Sequence, residues 1–213
     1  MKLIKILKVP NPVDSVAVHD NNIYIGCCDG SLMRAEGITG DSSPFEFVRA
    51  CAGYVSSVQV YNNELYVLSA NANTVYVYGL DKQLKRSWSR TPSSGKISYN
   101  KLRVVNRKIC VPSGDSIMVY TCQGKLVKEI HCPSTISWKA LAVCGYDSVI
   151  LSDYGADSVS RINIDSGEVM WTSKHVQGPR GVACYRNRYV IVVRDNSDYG
   201  ISILDAITGD FYT

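Results

Sequence analysis

The sequence predicts an all-β protein, a β-propeller of about five four-stranded blades, and three observations support this fold class. A short apolar motif recurs along the 213-residue chain. Each copy is followed by further short apolar runs that polar turns separate. No segment keeps the helical period for three turns, whereas strand-like alternation is common. Together these features favour antiparallel blades over helical repeats or the shorter leucine-rich repeats.

The recurring motif is a pair of apolar residues separated by one residue, and it marks the first strand of each predicted blade. Its five copies begin at Val16, Val58, Leu102, Leu141 and Val182, so the steps between them are 42, 44, 39 and 41 residues. A β-sandwich has frequent turn signals but no fixed repeat of this length. Residues 1–213 are therefore predicted to form a single propeller domain, or most of one.

The second strand of each blade is predicted from a polar turn and an apolar run after the motif. In the second repeat, Asn62 and Asn63 precede the run 65–67. Asn and Asp tolerate the positive φ that tight antiparallel turns require, so each pair of runs indicates a β-hairpin.

The third and fourth strands follow in the same order. An alternating run such as 75–78 predicts a third strand, and a turn containing glycine, such as Gln123-Gly124, precedes a fourth at 125–130. Four short antiparallel strands per repeat make one propeller blade.

The two ends of the chain leave two forms of the propeller open. Residues 1–8 are similar to a fourth strand, and the chain stops soon after Gly209, where another fourth strand is expected to start. In one form, the N-terminal strand pairs with the third strand at 201–204 and closes a five-bladed ring. In the other, the sequence is part of a six-bladed propeller whose bare sheet edge would pair with a second copy into an edge-to-edge dimer.

The cysteines and histidines argue against a metal site, a cofactor or a disulfide framework. None of the eight cysteines has the C-x-x-C spacing of zinc or thioredoxin-like sites, and the three histidines are far apart in sequence. The first eight residues carry three lysines, which is unlike a signal peptide or a membrane span. We therefore expect free thiols, no cofactor, no membrane partner and a cytoplasmic location.

The last two repeats resemble a known family of propeller repeats. The run Pro179-Arg180-Gly181-Val182-Ala183, the apolar strand 189–193, the loop at 194–196 and the final strand 201–204 resemble the NHL repeat. Together with 165–171, this region is similar to the C-terminal propellers of invertebrate tripartite-motif (TRIM) proteins, whereas the Trp-Asp and Gly-His pairs of WD40 repeats are absent. The resemblance implies a non-catalytic interaction platform, the substrate-recognition part of a TRIM-like protein, with a protein target as its partner.

The distribution of charge favours RNA as an alternative partner. The net charge is +4, but residues 65–146 alone carry 12 basic and 3 acidic side chains. Tyr99 and Trp88 lie among these basic residues, and single-stranded RNA is bound by such mixtures of cations and stacking rings. A solvated rim of lysines and arginines is equally compatible with this composition.

The predicted ligand surface consists of the loops that enter each first strand and the loops that join the second and third strands. From the third repeat onward these positions are basic and aromatic, as expected for a surface that stacks on bases or contacts phosphate. The candidate ligand-binding residues, for protein or RNA, are Tyr99, Asn100, Lys101, Trp138, Lys139, Tyr154, Arg180, Arg194 and Tyr199. For Tyr99 and Trp138, wedging between neighbouring blades is the structural alternative.

The acidic residues do not predict a catalytic site. One acidic or amide residue recurs after the second strand of each repeat, at Asp29, Asn71, Asp115, Asp153 and Asp195. A side chain repeated at one place in every blade is expected to accept hydrogen bonds from the turn backbone, whereas catalysis needs residues with different roles. No catalytic or metal-binding residue is predicted. A metal-dependent propeller hydrolase, with an ion held by Asp153 or Asp195, is the second alternative.

Overall fold

The computed structural model describes residues 6–37, 45–51, 53–69, 72–89, 101–132, 139–195 and 199–212. In these residues the chain forms 19 β-strands and no helix. The strands belong to five antiparallel sheets, one for each predicted repeat. The chain divides into two compact units, residues 1–91 and residues 92–213. The all-β prediction is confirmed.

The first unit contains two four-stranded blades, in each of which consecutive strands are neighbours. Blade 1 consists of β1 (Val13–His19), β2 (Asn22–Cys27), β3 (Ser31–Glu36) and β4 (Phe45–Arg49). Blade 2 consists of β5 (Val55–Tyr61), β6 (Glu64–Ser69), β7 (Thr74–Gly79) and β8 (Leu84–Ser89).

The second unit contains three further blades with the same meander. Blade 3 consists of β9 (Arg103–Val105), β10 (Lys108–Ser113), β11 (Ser116–Thr121) and β12 (Leu126–His131). Blade 4 consists of β13 (Lys139–Cys144), β14 (Ser148–Asp153), β15 (Ser158–Asn163) and β16 (Val169–Ser173). Blade 5 consists of β17 (Pro179–Tyr185), β18 (Tyr189–Arg194) and β19 (Gly200–Asp205).

The tight turns between first and second strands have the predicted conformation. Asn62 and Asn63 have φ of 48° and 56°, and Arg186 and Asn187 have φ of 52° and 54°. Two consecutive positive φ angles are typical of the type I′ turn, whose twist matches that of a hairpin. In both turns the second residue, an Asn, also contacts the preceding blade: Asn63 Oδ1 lies 3.1 Å from His19 Nε2, and Asn187 Oδ1 accepts a 2.8 Å bond from the backbone N–H of Gly145.

In the first unit, large aromatic side chains fill the space between the two blades. Tyr24 and Phe47 meet edge to face with ring centroids 5.6 Å apart. The hydroxyl of buried Tyr78 donates a 3.1 Å hydrogen bond to the carbonyl of Ala50. A buried tyrosine needs such a partner because an unsatisfied hydroxyl in an apolar interior is costly.

In the second unit, blade 4 is apolar on both faces. Leu151 of β14 packs in one cluster with Ile117 of blade 3, whereas the neighbouring Ile150 packs in another with Val190 and Leu204 of blade 5. Successive residues of a strand point to opposite faces, so one strand contributes to two interfaces between blades.

The two chain ends differ from each other. Residues 6–8 are in no strand and residues 1–5 lie outside the described part, so the N-terminal outer strand over 1–8 stays a prediction. At the other end, Phe211 forms a bridge with Leu204, and the N–H of Tyr212 donates to the carbonyl of Ile203 at 2.9 Å. The chain therefore starts to pair with β19 after Gly209, as predicted.

Candidate functional site

The structure describes five of the nine predicted ligand-binding residues with their side chains. Tyr99, Asn100 and Trp138 lie outside the described residues, and so does the side chain of Lys139, whose backbone begins β13. The proposed wedging of Tyr99 and Trp138 between blades therefore stays a prediction. Lys101 is half-buried just before β9.

The remaining four predicted residues lie in loops of blades 4 and 5 or at the strand ends beside them. Arg180, near the start of β17, places its guanidinium 5.6 Å from the ring centroid of Tyr154, in the loop after β14. Its Nε also forms an ion pair with Asp195, in the loop after β18. Arg180 therefore connects the start of β17 with the loops after β14 and β18. We call the group Tyr154, Arg180, Arg194, Asp195 and Tyr199 the blade 4–5 loop surface.

Arg194 and Tyr199 complete this surface. Arg194 ends β18, where its register partners are Pro179 on one side and Gly200 on the other. Tyr199 directly precedes Gly200 and is 80% exposed. Arg180 and Arg194 thus lie at strand ends and Tyr154 and Tyr199 in the loops beside them, and the side chains of Arg180 and Tyr154 are in contact.

The backbone around Arg180 is fixed by hydrogen bonds to both blades. Buried Ser152 donates to the Arg180 carbonyl at 3.0 Å. Gly178, two residues earlier, donates its N–H to Asp157 Oδ1 at 2.7 Å and accepts from the N–H of Asp195 at 2.8 Å. The Arg180 side chain, 46% exposed, therefore stands on a fixed backbone with both of its neighbours in place.

The recurring loop acids have the predicted role in two blades. Asp29 Oδ1 accepts hydrogen bonds from the N–H and the hydroxyl of Ser31, at 3.1 and 2.6 Å, and these bonds lower the pKa of Asp29. Asp153 Oδ1 accepts from the N–H of Ala156 at 3.2 Å. The carboxylate of Asp195 forms an ion pair with Arg180. Asn71 lies outside the described residues.

Several basic side chains of residues 65–146, which we call the basic sector, form contacts within the protein. In blade 2, Arg86 donates to both carboxylate oxygens of Glu64, at 3.0 and 2.5 Å, and Lys85 lies 3.4 Å from the same carboxylate. The Arg86 hydrogen bonds lower the pKa of Glu64 to about 2, and the same pairing raises the pKa of Arg86. Both cations therefore have an anionic partner inside their own blade.

Two further lysines of the sector bind the turn after β15. Lys108 forms an ion pair with Asp165, and Lys128 donates to the carbonyls of Asp165 and Ser166 at 2.6 and 2.9 Å. These contacts join blade 3 to blade 4. Phosphate would have to compete with them for the same ammonium groups.

A cleft of about 430 Å³ lies between the outer strand of blade 3 and the strands of blade 4. Its lining includes His131, Asp153 and Lys174. Ser116 Oγ lies 3.1 Å from His131 Nδ1, but Ser116 is fully buried, so its hydroxyl cannot reach a substrate. In the described part of the chain, no three His, Cys, Asp or Glu side chains are grouped as metal ligands.

Sequence reasoning missed a second aromatic and cationic cluster, at the opposite end of blade 5. Arg186 lies over Tyr185 and Arg188 over Tyr189, with charge-to-centroid distances of 5.1 and 5.2 Å. The Tyr189 hydroxyl donates to Tyr212 at 3.3 Å, which raises the pKa of Tyr189 and lowers that of Tyr212. The local run Tyr-Arg-Asn-Arg-Tyr at 185–189 is the signal that could have located it.

Comparison with known proteins identifies the fold. No protein-family model and no curated protein matches the sequence. The chain is similar to a solved structure described as the WD40 β-propeller domain of Doa1, with a TM-score of 0.75 over 99% of this chain and 71% of that one. The chain is a β-propeller. The two sequences are 15% identical, so the likeness concerns the fold, and this propeller lacks the Trp-Asp and Gly-His pairs.

These findings confirm the propeller fold but not the assignment to the NHL or TRIM families. The NHL and TRIM resemblance has no matching family model to support it. Propellers of the WD40 type are typical scaffolds for binding other proteins. In the described residues there is no helix that is long and apolar enough to span a bilayer.

Proposed function

We propose that this propeller is a non-catalytic interaction platform that binds a protein target through the blade 4–5 loop surface. The observation that carries the proposal is the placement of Arg180, held between the Tyr154 ring and the Asp195 carboxylate while 46% of its side chain stays exposed. Arginine and tyrosine are enriched among the residues that dominate protein interfaces. A side chain that is already fixed loses less conformational entropy on binding.

The charge balance of this surface favours a protein over RNA. Arg180 is paired with Asp195, and its positive charge is therefore largely offset. In the basic sector, Lys85 and Arg86 share Glu64, and Lys108 is paired with Asp165. RNA affinity depends on cations that can replace counterions along the phosphate backbone. RNA binding is accordingly an outcome of the test below.

A more specific form of the proposal makes this platform the substrate-recognition part of a TRIM-like protein. The resemblance of residues 165–171 and 178–205 to those propellers supports it. This form requires a zinc-binding RING in the same natural polypeptide. Sequencing the complete transcript tests it, and a transcript without the series of Cys and His codons would reject this form and leave the platform proposal intact.

The test is a crosslinking pull-down with the purified chain as bait, with and without nuclease. Arg180→Ala removes the central side chain, and Arg186→Ala is the matched control because it removes an arginine stacked on a tyrosine at the opposite end of blade 5. We expect a defined protein whose binding is nuclease-resistant, weakens about 30-fold in Arg180→Ala and is unchanged in Arg186→Ala. Equal capture by both variants would contradict the proposal. Nuclease-sensitive capture that falls steeply with salt would assign the surface to RNA.

We also propose that a second copy of the chain binds to blade 5. The outer face of this sheet carries Ile191 and Val193 on β18 and, directly opposite them, Ile203 and Ile201 on β19. Three of the four are exposed, whereas the other face of the sheet packs against blade 4. Phe211 and Tyr212 already contact the edge of β19, so the association is proposed through the face of the sheet rather than edge to edge.

A further inference from the structure

We infer that Cys144 and Cys184 form a redox-active pair whose oxidation joins blades 4 and 5 through a disulfide. The two sulfur atoms are 2.6 Å apart, closer than two sulfurs that are merely in contact. A disulfide bond measures about 2.0 Å. All eight cysteines are free thiols, as the sequence predicted, and this pair is distinguished by the approach of two positions that are distant in sequence.

Both cysteines lie in strands of two packed sheets rather than in a flexible loop. Cys144 is the last residue of β13, and Cys184 lies one residue before the end of β17. At the same ends of the blades, the N–H of Gly145 donates to Asn187 Oδ1 at 2.8 Å. Cys144 belongs to the apolar cluster between the blades, and Cys184 packs against it. The two sulfurs therefore have to approach by only about 0.6 Å for the bond to form.

The surroundings of the two sulfurs give them different roles. Cys144 is fully buried, and this burial raises the pKa of its thiol to about 12. Cys184 is partly exposed. The thiolate is the form that reacts with an oxidant, and the oxidant has to reach it. Cys184 is therefore the thiol that reacts first, and Cys144 is the thiol that resolves the intermediate.

With hydrogen peroxide as oxidant, the reaction balances in two steps. The Cys184 thiolate attacks one peroxide oxygen, the O–O bond breaks, and a sulfenic acid and one water result after proton transfer. The Cys144 sulfur then attacks the Cys184 sulfur, the S–O bond breaks, and a second water leaves as the S–S bond forms. The two sulfurs together lose two electrons, and the peroxide gains them.

The disulfide is expected to stabilise the second unit. It would link residues that are 40 positions apart in sequence. Cross-linking a loop of this length lowers the entropy of the unfolded chain, and for a chain of this size the unfolding midpoint should rise by about 5–10 °C. The inference does not depend on the proposed ligand surface, because none of the residues of that surface takes part.

The experiment treats the reduced, folded full chain with hydrogen peroxide and then alkylates the remaining thiols without reductant. Trypsin should release residues 140–161 and 181–186 as one cross-linked species that dithiothreitol separates. The midpoint of thermal unfolding should rise in the same sample and return after reduction. Wild-type protein alone gives this result, so the test does not depend on the folding of a variant.

Two variants sharpen the experiment. Cys184→Ser should abolish the cross-linked species and the rise in midpoint. Cys122→Ser, which changes a half-buried cysteine in the turn after β11 of blade 3, should retain both. Recovery of residues 140–161 and 181–186 as separately alkylated peptides from peroxide-treated wild-type protein would overturn the inference, as would Cys184 linked to any other cysteine.

Discussion

The ionisation of Glu64 couples the stability of blade 2 to pH. Its folded pKa of about 2 lies below the ordinary 4.5, because Arg86 and Tyr66 donate hydrogen bonds to the carboxylate. A depressed carboxyl pKa contributes stability that is fully present above about pH 4.5 and is lost as the pH falls towards 2. The Glu64 side chain is only 18% exposed, so Glu64→Gln should lower the free energy of unfolding at pH 7 by about 2 kcal/mol.

Urea unfolding between pH 7 and pH 3 measures this effect. Stability of the wild type should fall faster than that of Glu64→Gln over the acid range, so the two curves converge. Glu36→Gln is the control, because the Arg34–Glu36 pair at 2.8 Å leaves the carboxylate 56% exposed, and surface pairs contribute little. Parallel curves for the wild type and Glu64→Gln would show that Glu64 does not have the depressed pKa.

Gly26 of β2 lies where blades 1 and 2 approach each other closely. A Cβ at this position would lie 2.5 Å from Ser15 Oγ and 2.5 Å from Val55 Cγ1. Val55 is fully buried and cannot move away without displacing its neighbours, so Gly26→Ala should lower the free energy of unfolding by about 1–3 kcal/mol. Gly181→Ala is the matched control, since its Cβ would meet Val193 at an ordinary 3.7 Å. Equal urea midpoints for the two variants would contradict this packing.

At the scale of strands and turns, the periodic features were predictable and the contacts between blades were not. The Asn62-Asn63 turn could be predicted because few residues tolerate two positive φ angles in succession. The strand at 75–78 could be predicted because alternating side chains point to opposite faces of a sheet. Arg180 was predicted as a binding residue, but its pairing with Asp195 joins loops whose spacing only the folded sheets determine. For the same reason, the sequence did not predict that Cys144 and Cys184, which are 40 residues apart, lie side by side.

Trp171 of β16 holds the turn after β19 against blade 4. Its Nε1 donates a 3.1 Å hydrogen bond to the Ala206 carbonyl, and its ring lies 2.6 Å from the position that a Cβ on Gly209 would take. Trp171→Phe removes this bond but leaves Arg161, which donates to the same carbonyl at 2.8 Å. We therefore expect the free energy of unfolding to fall by only about 1 kcal/mol in Trp171→Phe. Amide exchange in residues 206–209 should become faster.

Hydrogen exchange followed by mass spectrometry measures this local effect. Met170→Leu, at the neighbouring exposed position of β16, is the control and should leave exchange in 206–209 unchanged. Unchanged exchange in Trp171→Phe would mean that Trp171 does not hold the turn.

For the whole molecule, the outer face of blade 5 predicts self-association. Contiguous exposed apolar surface is unfavourable in water and tends to be covered by a partner. Ile201 is 65% exposed and lies directly opposite Val193, so Ile201→Lys places a charge in the middle of the face. Ile207→Lys is the matched control, because Ile207 is also exposed but lies in the turn after β19.

Light scattering with reductant present, which excludes disulfide-linked species, should show a wild-type mass that rises with concentration towards that of a dimer. Ile201→Lys should remain monomeric with an unchanged circular dichroism spectrum, while Ile207→Lys should associate like the wild type. A wild type that is monomeric up to about 100 μM would contradict the prediction, because a dimer with a Kd below that concentration would be largely formed there.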